Sequence, residues 1–170
     1  MTHARSQATY QVRLGWGAAA LELLEPADVI VVVDAIGSSP ALERAAQDRA
    51  DIVFAASLRN ATATARAVYA AQRERAARTS IALVLAGDDG AFAVEDYLAA
   101  GAVADGLSAL GIDHTAPDAA VAGEGFHGLT RALKHLLSSS ATGLALAEEG
   151  RREEVLAAAA LDADDAARRL

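Results

Sequence analysis

The stretch Asp28-Val-Ile-Val-Val-Val-Asp34 decides the fold class, because five β-branched residues stand together between two aspartates. A continuous run of this kind predicts a strand that is buried on both faces of a parallel sheet. Asp51–Ala56 and Ser80–Ala86 repeat the pattern, and the alternating residues Tyr10–Leu14 predict an edge strand. Helical stretches separate these runs, so the sequence predicts an α/β fold, with three layers (α/β/α) and a mostly parallel sheet.

Helical signals occupy the segments between and after these strands. Ser39 suits an N-cap, and Pro40 suits the first position of a helix. Gly101 lies inside another predicted helix, where glycine costs about 1 kcal/mol relative to alanine, and this indicates close packing there. A loop or ragged helix is expected around Pro117, and the charged end, residues 162–170, is expected to fray. The predicted helices cover residues 40–49, 60–78, 94–110, 125–137 and 148–161, within a single domain of residues 1–170.

Composition excludes several classes of function. The net charge of −8 lacks the basic surface with which proteins neutralise nucleic-acid phosphates, so no nucleic-acid partner is expected. The absence of cysteine excludes disulfides, thiolate catalysis and zinc sites with sulfur ligands. No apolar run approaches the roughly 18 residues of a membrane span, and residues 1–11 lack the apolar stretch of a signal peptide. These features predict a cytoplasmic protein with no membrane partner, and the alanine-rich helices leave a homo-oligomer open.

Polar side chains follow the three central predicted strands, at the edge where parallel sheets bind ligands. Asp34 follows the first strand, Asn60 lies just beyond the second, and Gly87-Asp-Asp-Gly90 follows the third, with Glu95 and Asp96 shortly after. Carboxylate and amide oxygens, with no cysteine nearby, are the ligands that Mg²⁺ prefers in proteins. The pattern therefore predicts an oxygen-rich site for a hard cation.

Each of these features also has a purely structural interpretation. Asp34 suits a loop cap, and Gly87-Asp-Asp-Gly90 suits a turn, because aspartate and glycine supply the backbone conformations that turns need. Glu95 and Asp96 open a helix, where acidic side chains are favourable against the helix dipole. Arg59-Asn60 suits the cap of the helix that follows.

Two further patterns carry weaker signals. Gly37-Ser38-Ser39 precedes a helix, as phosphate-binding backbone loops do, but it lacks a lysine and a fuller glycine pattern. His114, His127 and His135 show no zinc-site spacing, and no G-x-S-x-G motif supports a serine nucleophile.

Three segments stand in an order that is typical of one family. They are Ser57-Leu-Arg-Asn-Ala-Thr-Ala-Thr-Ala65, Ala86-Gly-Asp-Asp-Gly90 and Val94-Glu-Asp-Tyr-Leu-Ala-Ala-Gly-Ala102. With Val31-Val-Val-Asp34 upstream, they resemble the ComB-like family, the 2-phosphosulfolactate phosphatases. The resemblance runs, in order, over most of the chain.

The resemblance implies a Mg²⁺-dependent phosphatase whose substrate is a small anionic phosphate ester, such as a phosphorylated sulfonated acid. Under this hypothesis Asp34, Glu95 and Asp96 are both the catalytic residues and the metal ligands. The expected substrate-binding residues are Ser38, Ser39, Arg59, Asn60 and Gly87.

The chain departs from the family pattern where the family carries positive charge. Members of the family are longer, and the block of motifs that is missing here falls between Asp34 and Asp51. Ile36 and Gly37 stand where the family has an arginine, and Leu144 stands where it has another. These departures support an alternative hypothesis, a degenerate and non-catalytic member that acts as a ligand-binding, regulatory or oligomeric protein. They also predict that any phosphatase activity is weak or absent.

Overall fold

The computed structural model describes residues 4–170, which form five strands and eight α-helices. None of these helices combines the length and the apolar character that crossing a membrane requires. The elements in chain order are β1 (Val12–Trp16), α1 (Gly17–Leu23), β2 (Val29–Val33), α2 (Pro40–Gln47), β3 (Ile52–Ala56), α3 (Ala61–Arg75), β4 (Ile81–Leu85), α4 (Val94–Ala109), α5 (Pro117–Leu129), α6 (Leu133–Ser139), α7 (Ala141–Glu148), α8 (Arg152–Ala158) and β5 (Arg168–Arg169).

The strands form one sheet in the order β1-β4-β2-β3-β5. The first four strands in this order are parallel, and β2 is paired on both sides, with Val29 opposite both Ile52 and Ile81. At the start of β2, the carboxylate of Asp28 accepts hydrogen bonds from the amide and the hydroxyl of Ser80, at 2.8 and 2.7 Å. The predicted mostly parallel sheet is confirmed, and the predicted edge strand becomes β1.

Two apolar cores lie on opposite faces of the sheet, and β2 contributes to both. Val29, Val31 and Val33 pack in the core under α3, α4 and α5. Ile30 and Val32 point the other way and pack with α1 and α2. Alternate residues of a strand face opposite sides, so a strand that is covered by helices on both sides must be apolar throughout. The predicted three-layer α/β/α arrangement is confirmed.

Close packing at Gly101 joins α4 to α5. A Cβ atom added at Gly101 would clash with the carbonyl oxygen of Ala122. The expectation of a loop or ragged helix around Pro117 is wrong, because Pro117 lies in the first turn of the 13-residue α5. The many small residues of this segment give it only a weak apolar periodicity, although Ala122 and Phe126 are buried at a spacing of four.

Gly101→Ala is expected to lower the free energy of unfolding by about 2 kcal/mol, because the added methyl group meets backbone rather than a movable side chain. The gain in helix propensity, about 1 kcal/mol, is smaller than this overpacking cost. Gly125→Ala is the matched control, since a Cβ atom there meets nothing within 4 Å and should stabilise α5. Urea unfolding of both variants measures the difference. Equal stabilisation by both substitutions would contradict close packing at Gly101.

The last nine residues, 162–170, which we call the C-terminal strap, are ordered against the sheet rather than frayed as expected. β5 pairs antiparallel with β3, and the amide of Leu170 donates to the carbonyl of Val53 at 2.9 Å. The amides of Asp162 and Asp164 donate to the carbonyls of Leu58 and Arg59, at 3.0 and 2.8 Å. The partners lie about a hundred positions away in the chain, so local composition could not reveal them.

Candidate functional site

A cavity of about 730 Å³ opens at the carboxyl ends of β2 and β3. The connections that follow these two strands leave toward opposite faces of the sheet, α2 on one face and α3 on the other. Ligands of parallel sheets bind in crevices at such points. The polar residues that line the cavity are Asp34, Ser38, Glu43, Ser57, Arg59, Asn60, Glu154, Asp164 and Arg168.

Asp34 lies at the floor of this cavity, directly after β2. Its Oδ2 atom accepts a hydrogen bond from the hydroxyl of Ser39 at 2.7 Å. Burial raises the pKa of the Asp34 carboxyl, and the negative charges of Glu43 and Glu95 raise it further. The hydrogen bonds from Ser39 and from the backbone of Ile36 act in the opposite direction and lower this pKa, so burial is the main cause of the net rise.

Arg59 and Asn60 follow β3 in a short 3₁₀ turn, and both are already engaged. Asn60 accepts from the amide of Ser57 at 2.9 Å and donates to the carbonyl of Ala55 at 3.1 Å, so its side chain closes the turn. Arg59 donates two hydrogen bonds to the carboxylate of Asp164, at 2.9 and 2.8 Å. The predicted binding residue Asn60 thus has a structural role. The guanidinium of Arg59 is already paired with a carboxylate of the same chain.

Asp96 lies under the cavity in the first turn of α4 and is 4% exposed. Its two carboxylate oxygens accept from the amides of Ala35 and Gly87, each at 2.7 Å. Burial raises the pKa of Asp96 to about 7, and the charges of Asp34 and Glu95 act in the same direction. Because these amides belong to the segments after β2 and β4, Asp96 holds the two strand ends together and is a positioning residue.

Glu95 is buried but does not join Asp34 and Asp96 in one site. Neighbouring helical residues point about 100° apart, and Glu95 lines a separate cavity of about 180 Å³ beside Phe92 and Ser140. Among residues 4–170, no group of three or more acidic or histidine side chains is arranged to hold a metal ion. The residues present do not fit the predicted three-carboxylate magnesium site, and magnesium binding stays a prediction.

The remaining predicted residues lie around the mouth of the cavity or beyond it. Ser38 is exposed at the rim of the cavity. Ser39 occupies the N-cap position of α2, but its hydroxyl donates a hydrogen bond to Asp34 instead of capping the helix. Gly87 borders a second depression of about 680 Å³, and its φ of +67° favours glycine. Asp88 and Asp89 are exposed in a turn in which Asp88 and Ala91 exchange backbone hydrogen bonds, which matches the structural interpretation of this motif.

Sequence reasoning missed four charged residues of the cavity, which are Glu43, Glu154, Asp164 and Arg168. Arg168 donates to both carboxylate oxygens of Glu43, at 2.9 and 3.1 Å. The pairs Arg59–Asp164 and Glu43–Arg168 join residues 105 and 125 positions apart, so no local motif signals them. The described lining therefore carries four carboxylates and two guanidinium groups.

Comparison with known proteins adds one finding to this geometry. A family model for 2-phosphosulpholactate phosphatase matches residues 22–169. The matched span includes the whole cavity and all eight predicted site residues. No curated protein matches the chain.

Proposed function

The chain belongs to the 2-phosphosulpholactate phosphatase family, and we propose that it binds a small anionic phosphate ester in the cavity and hydrolyses it weakly at most. The observation that carries this proposal is the charge of the cavity. Both of its described guanidinium groups, Arg59 and Arg168, are paired with carboxylates of the chain itself.

Phosphoryl transfer needs positive charge around the transferring group, because negative charge on its oxygens must be stabilised in the transition state. Arg59 and Arg168 are paired with Asp164 and Glu43, and Glu154 is paired with Arg151, so the cavity lining offers little free positive charge to a phosphate. An anion gains a positive partner here when it takes over Arg59 from Asp164. This arrangement supports ligand binding more strongly than it supports rapid turnover.

In the proposed step, water attacks the phosphorus atom, the bond from phosphorus to the ester oxygen breaks, and Asp34 gives its proton to that leaving oxygen; the proton lost by the attacking water then reprotonates Asp34. Burial raises the pKa of its carboxyl, and the hydroxyl of Ser39 fixes the orientation of that group. Arg59 is the proposed partner of the phosphate, with Ser38 at the rim of the cavity as a further hydrogen-bond donor. The proposal assigns no step to magnesium, because Asp96 and Glu95 do not join Asp34 in one site.

The alternative without any turnover, a ligand-binding or regulatory member of the family, is favoured by the same neutralised arginines. The two hypotheses share the ligand and the cavity, and they differ in the rate of phosphate release. A kinetic measurement therefore separates them.

Phosphate release from a panel of small phosphomonoesters, with and without Mg²⁺, tests the proposal. We expect turnover at least about 100-fold below the roughly 10 per second of a median enzyme, since loss of one electrostatic contact typically costs 10²–10³ in rate. Asp34→Asn should lower any remaining rate by a further factor of about 100, because it removes the proton donor. Asp113→Asn, at an exposed carboxylate outside the cavity lining, is the matched control.

Two results would contradict this proposal. Turnover at ordinary enzymatic rates would show that the cavity stabilises the transition state despite its paired arginines. A residual rate that Asp34→Asn and Asp113→Asn leave equally unchanged would remove the assigned role of Asp34.

A further inference from the structure

We propose that the C-terminal strap is a built-in competitor of the anionic ligand, in which the carboxylate of Asp164 occupies the guanidinium of Arg59 until the ligand displaces it. The inference rests on the proposed function, because it concerns the regulation of the same cavity. It goes beyond that function by assigning a role to the end of the chain.

The contact between Asp164 and Arg59 has the geometry with which arginine binds phosphate. The Nε and Nη2 atoms of Arg59 each donate to one oxygen of the carboxylate, at 2.9 and 2.8 Å. Carboxylate and phosphate groups accept the same two-pronged contact from a guanidinium group. A phosphate that binds Arg59 in this way must therefore replace Asp164.

The second guanidinium group of the cavity belongs to a residue of the strap itself, Arg168. Arg168 is held by Glu43 of α2, and Ala166 and Ala167 form part of the cavity wall between the two ion pairs. Both positive groups at the cavity are thus neutralised while the strap is docked. Undocking the strap would release Arg59 and remove the carboxylate of Asp164, and it would also withdraw Arg168 and leave Glu43 without its partner.

The strap is attached mainly by polar contacts, so its displacement exposes little apolar surface. Two ladder pairs and the hydrogen bond from the amide of Leu170 to Val53 join it to β3, and Ala167 and Leu170 are its partly buried apolar side chains. The carboxylate of Asp162 accepts two hydrogen bonds from the amide and the hydroxyl of Thr62, at 2.9 and 2.7 Å. Segments with little buried apolar surface open locally at a small fraction of the global unfolding free energy.

Titration of the 170-residue chain with inorganic phosphate, monitored by calorimetry, tests the inference. Asp164→Asn removes the competing charge, and it should tighten phosphate binding roughly two- to fivefold, the range expected when an exposed bidentate ion pair no longer competes. Asp165→Asn is the matched control, since it removes the same charge from the next, exposed residue of the strap. It should leave the affinity almost unchanged, because Asp165 makes no described contact with Arg59, whereas Asp164 is hydrogen-bonded to it.

Hydrogen exchange of the backbone amides provides the second measurement. Saturating phosphate should accelerate exchange at Asp164 and Leu170, whose amides are hydrogen-bonded to Arg59 and Val53 in the docked strap. Equal phosphate affinities of the wild-type protein and Asp164→Asn would overturn the inference. Slower or unchanged hydrogen exchange of the strap amides in the phosphate-bound protein would overturn it as well. The absence of phosphate binding in every variant would also overturn it.

Failure of the inference can be distinguished from failure of the proposed function. If phosphate binds, Arg59→Gln abolishes binding, and Asp164→Asn changes nothing, then the strap is not a competitor while the cavity remains the ligand site. If Asp164→Asn tightens binding but no ester is hydrolysed, the competitor role stands and the catalytic part of the proposed function fails.

Discussion

Asp96→Ala is expected to lower the free energy of unfolding by on the order of 3 kcal/mol, because a buried amide and a half-buried amide lose their only described acceptor. The amides of Ala35 and Gly87 both donate to Asp96, and leaving a buried donor unpaired costs about 1–3 kcal/mol each. Urea unfolding at constant pH measures the change. The same substitution should also loosen the ends of β2 and β4, between which Asp96 forms the link.

Asp88→Ala is the matched control for this prediction, because Asp88 is an exposed carboxylate in the turn after β4. Its substitution should change the free energy of unfolding by no more than about 0.5 kcal/mol, as is usual for surface sites. If both variants lost the same small amount of stability, Asp96 would not hold the two strand ends together.

The stability of the protein should fall as the pH rises from about 4 to about 7, relative to Asp96→Asn. The folded pKa of Asp96 is about 7 and its ordinary value is 3.8, so in this window the folded protein keeps a proton that the unfolded chain releases. The stabilising contribution of this group is complete below pH 4 and is lost as the pH passes through 7. One pKa unit corresponds to about 1.4 kcal/mol, so the total effect is on the order of 4 kcal/mol.

Urea unfolding of both proteins at pH 4, 5.5, 7 and 8 measures this effect as the difference between two profiles. Asp34 also has a raised pKa, but it is present in both proteins and contributes to both profiles. The difference should shrink with pH up to about 7 and then remain constant. Parallel profiles over the whole range would show that Asp96 titrates alike in the folded and unfolded chain.

The strands could be predicted from the sequence because their signal is local. Each β-branched run, such as Asp28–Asp34, is apolar over its whole length, and a strand covered on both faces needs that pattern. The close packing at Gly101 was also predicted correctly, since an unfavourable residue in a helix needs a compensating contact. The prediction for the segment around Pro117 was wrong because alanine and glycine do not distinguish the buried face of a helix from its exposed face.

The candidate site could be predicted only in its position. The edge of the sheet follows from parallel strands, and Asp34 and Arg59 do line the cavity there. The proximity of Glu95 and Asp96 in sequence suggested a shared metal ion, but adjacent residues of one helical turn diverge in space. The ion pairs of the strap depend on tertiary structure alone, because their partners lie in distant parts of the chain.

The alternation of β2 between two cores has a consequence for how this strand finds its register. Valine or isoleucine occupies every position from Val29 to Val33, so a slip by one residue would exchange side chains of nearly equal shape between the cores. Apolar packing alone therefore discriminates weakly between neighbouring alignments. A slip would instead draw Asp28 or Asp34 into the ladder, where a buried carboxylate without its hydrogen bonds is costly. Asp28 and Asp34 therefore disfavour a shifted register. The alignment of β2 is set by the polar residues at its two ends.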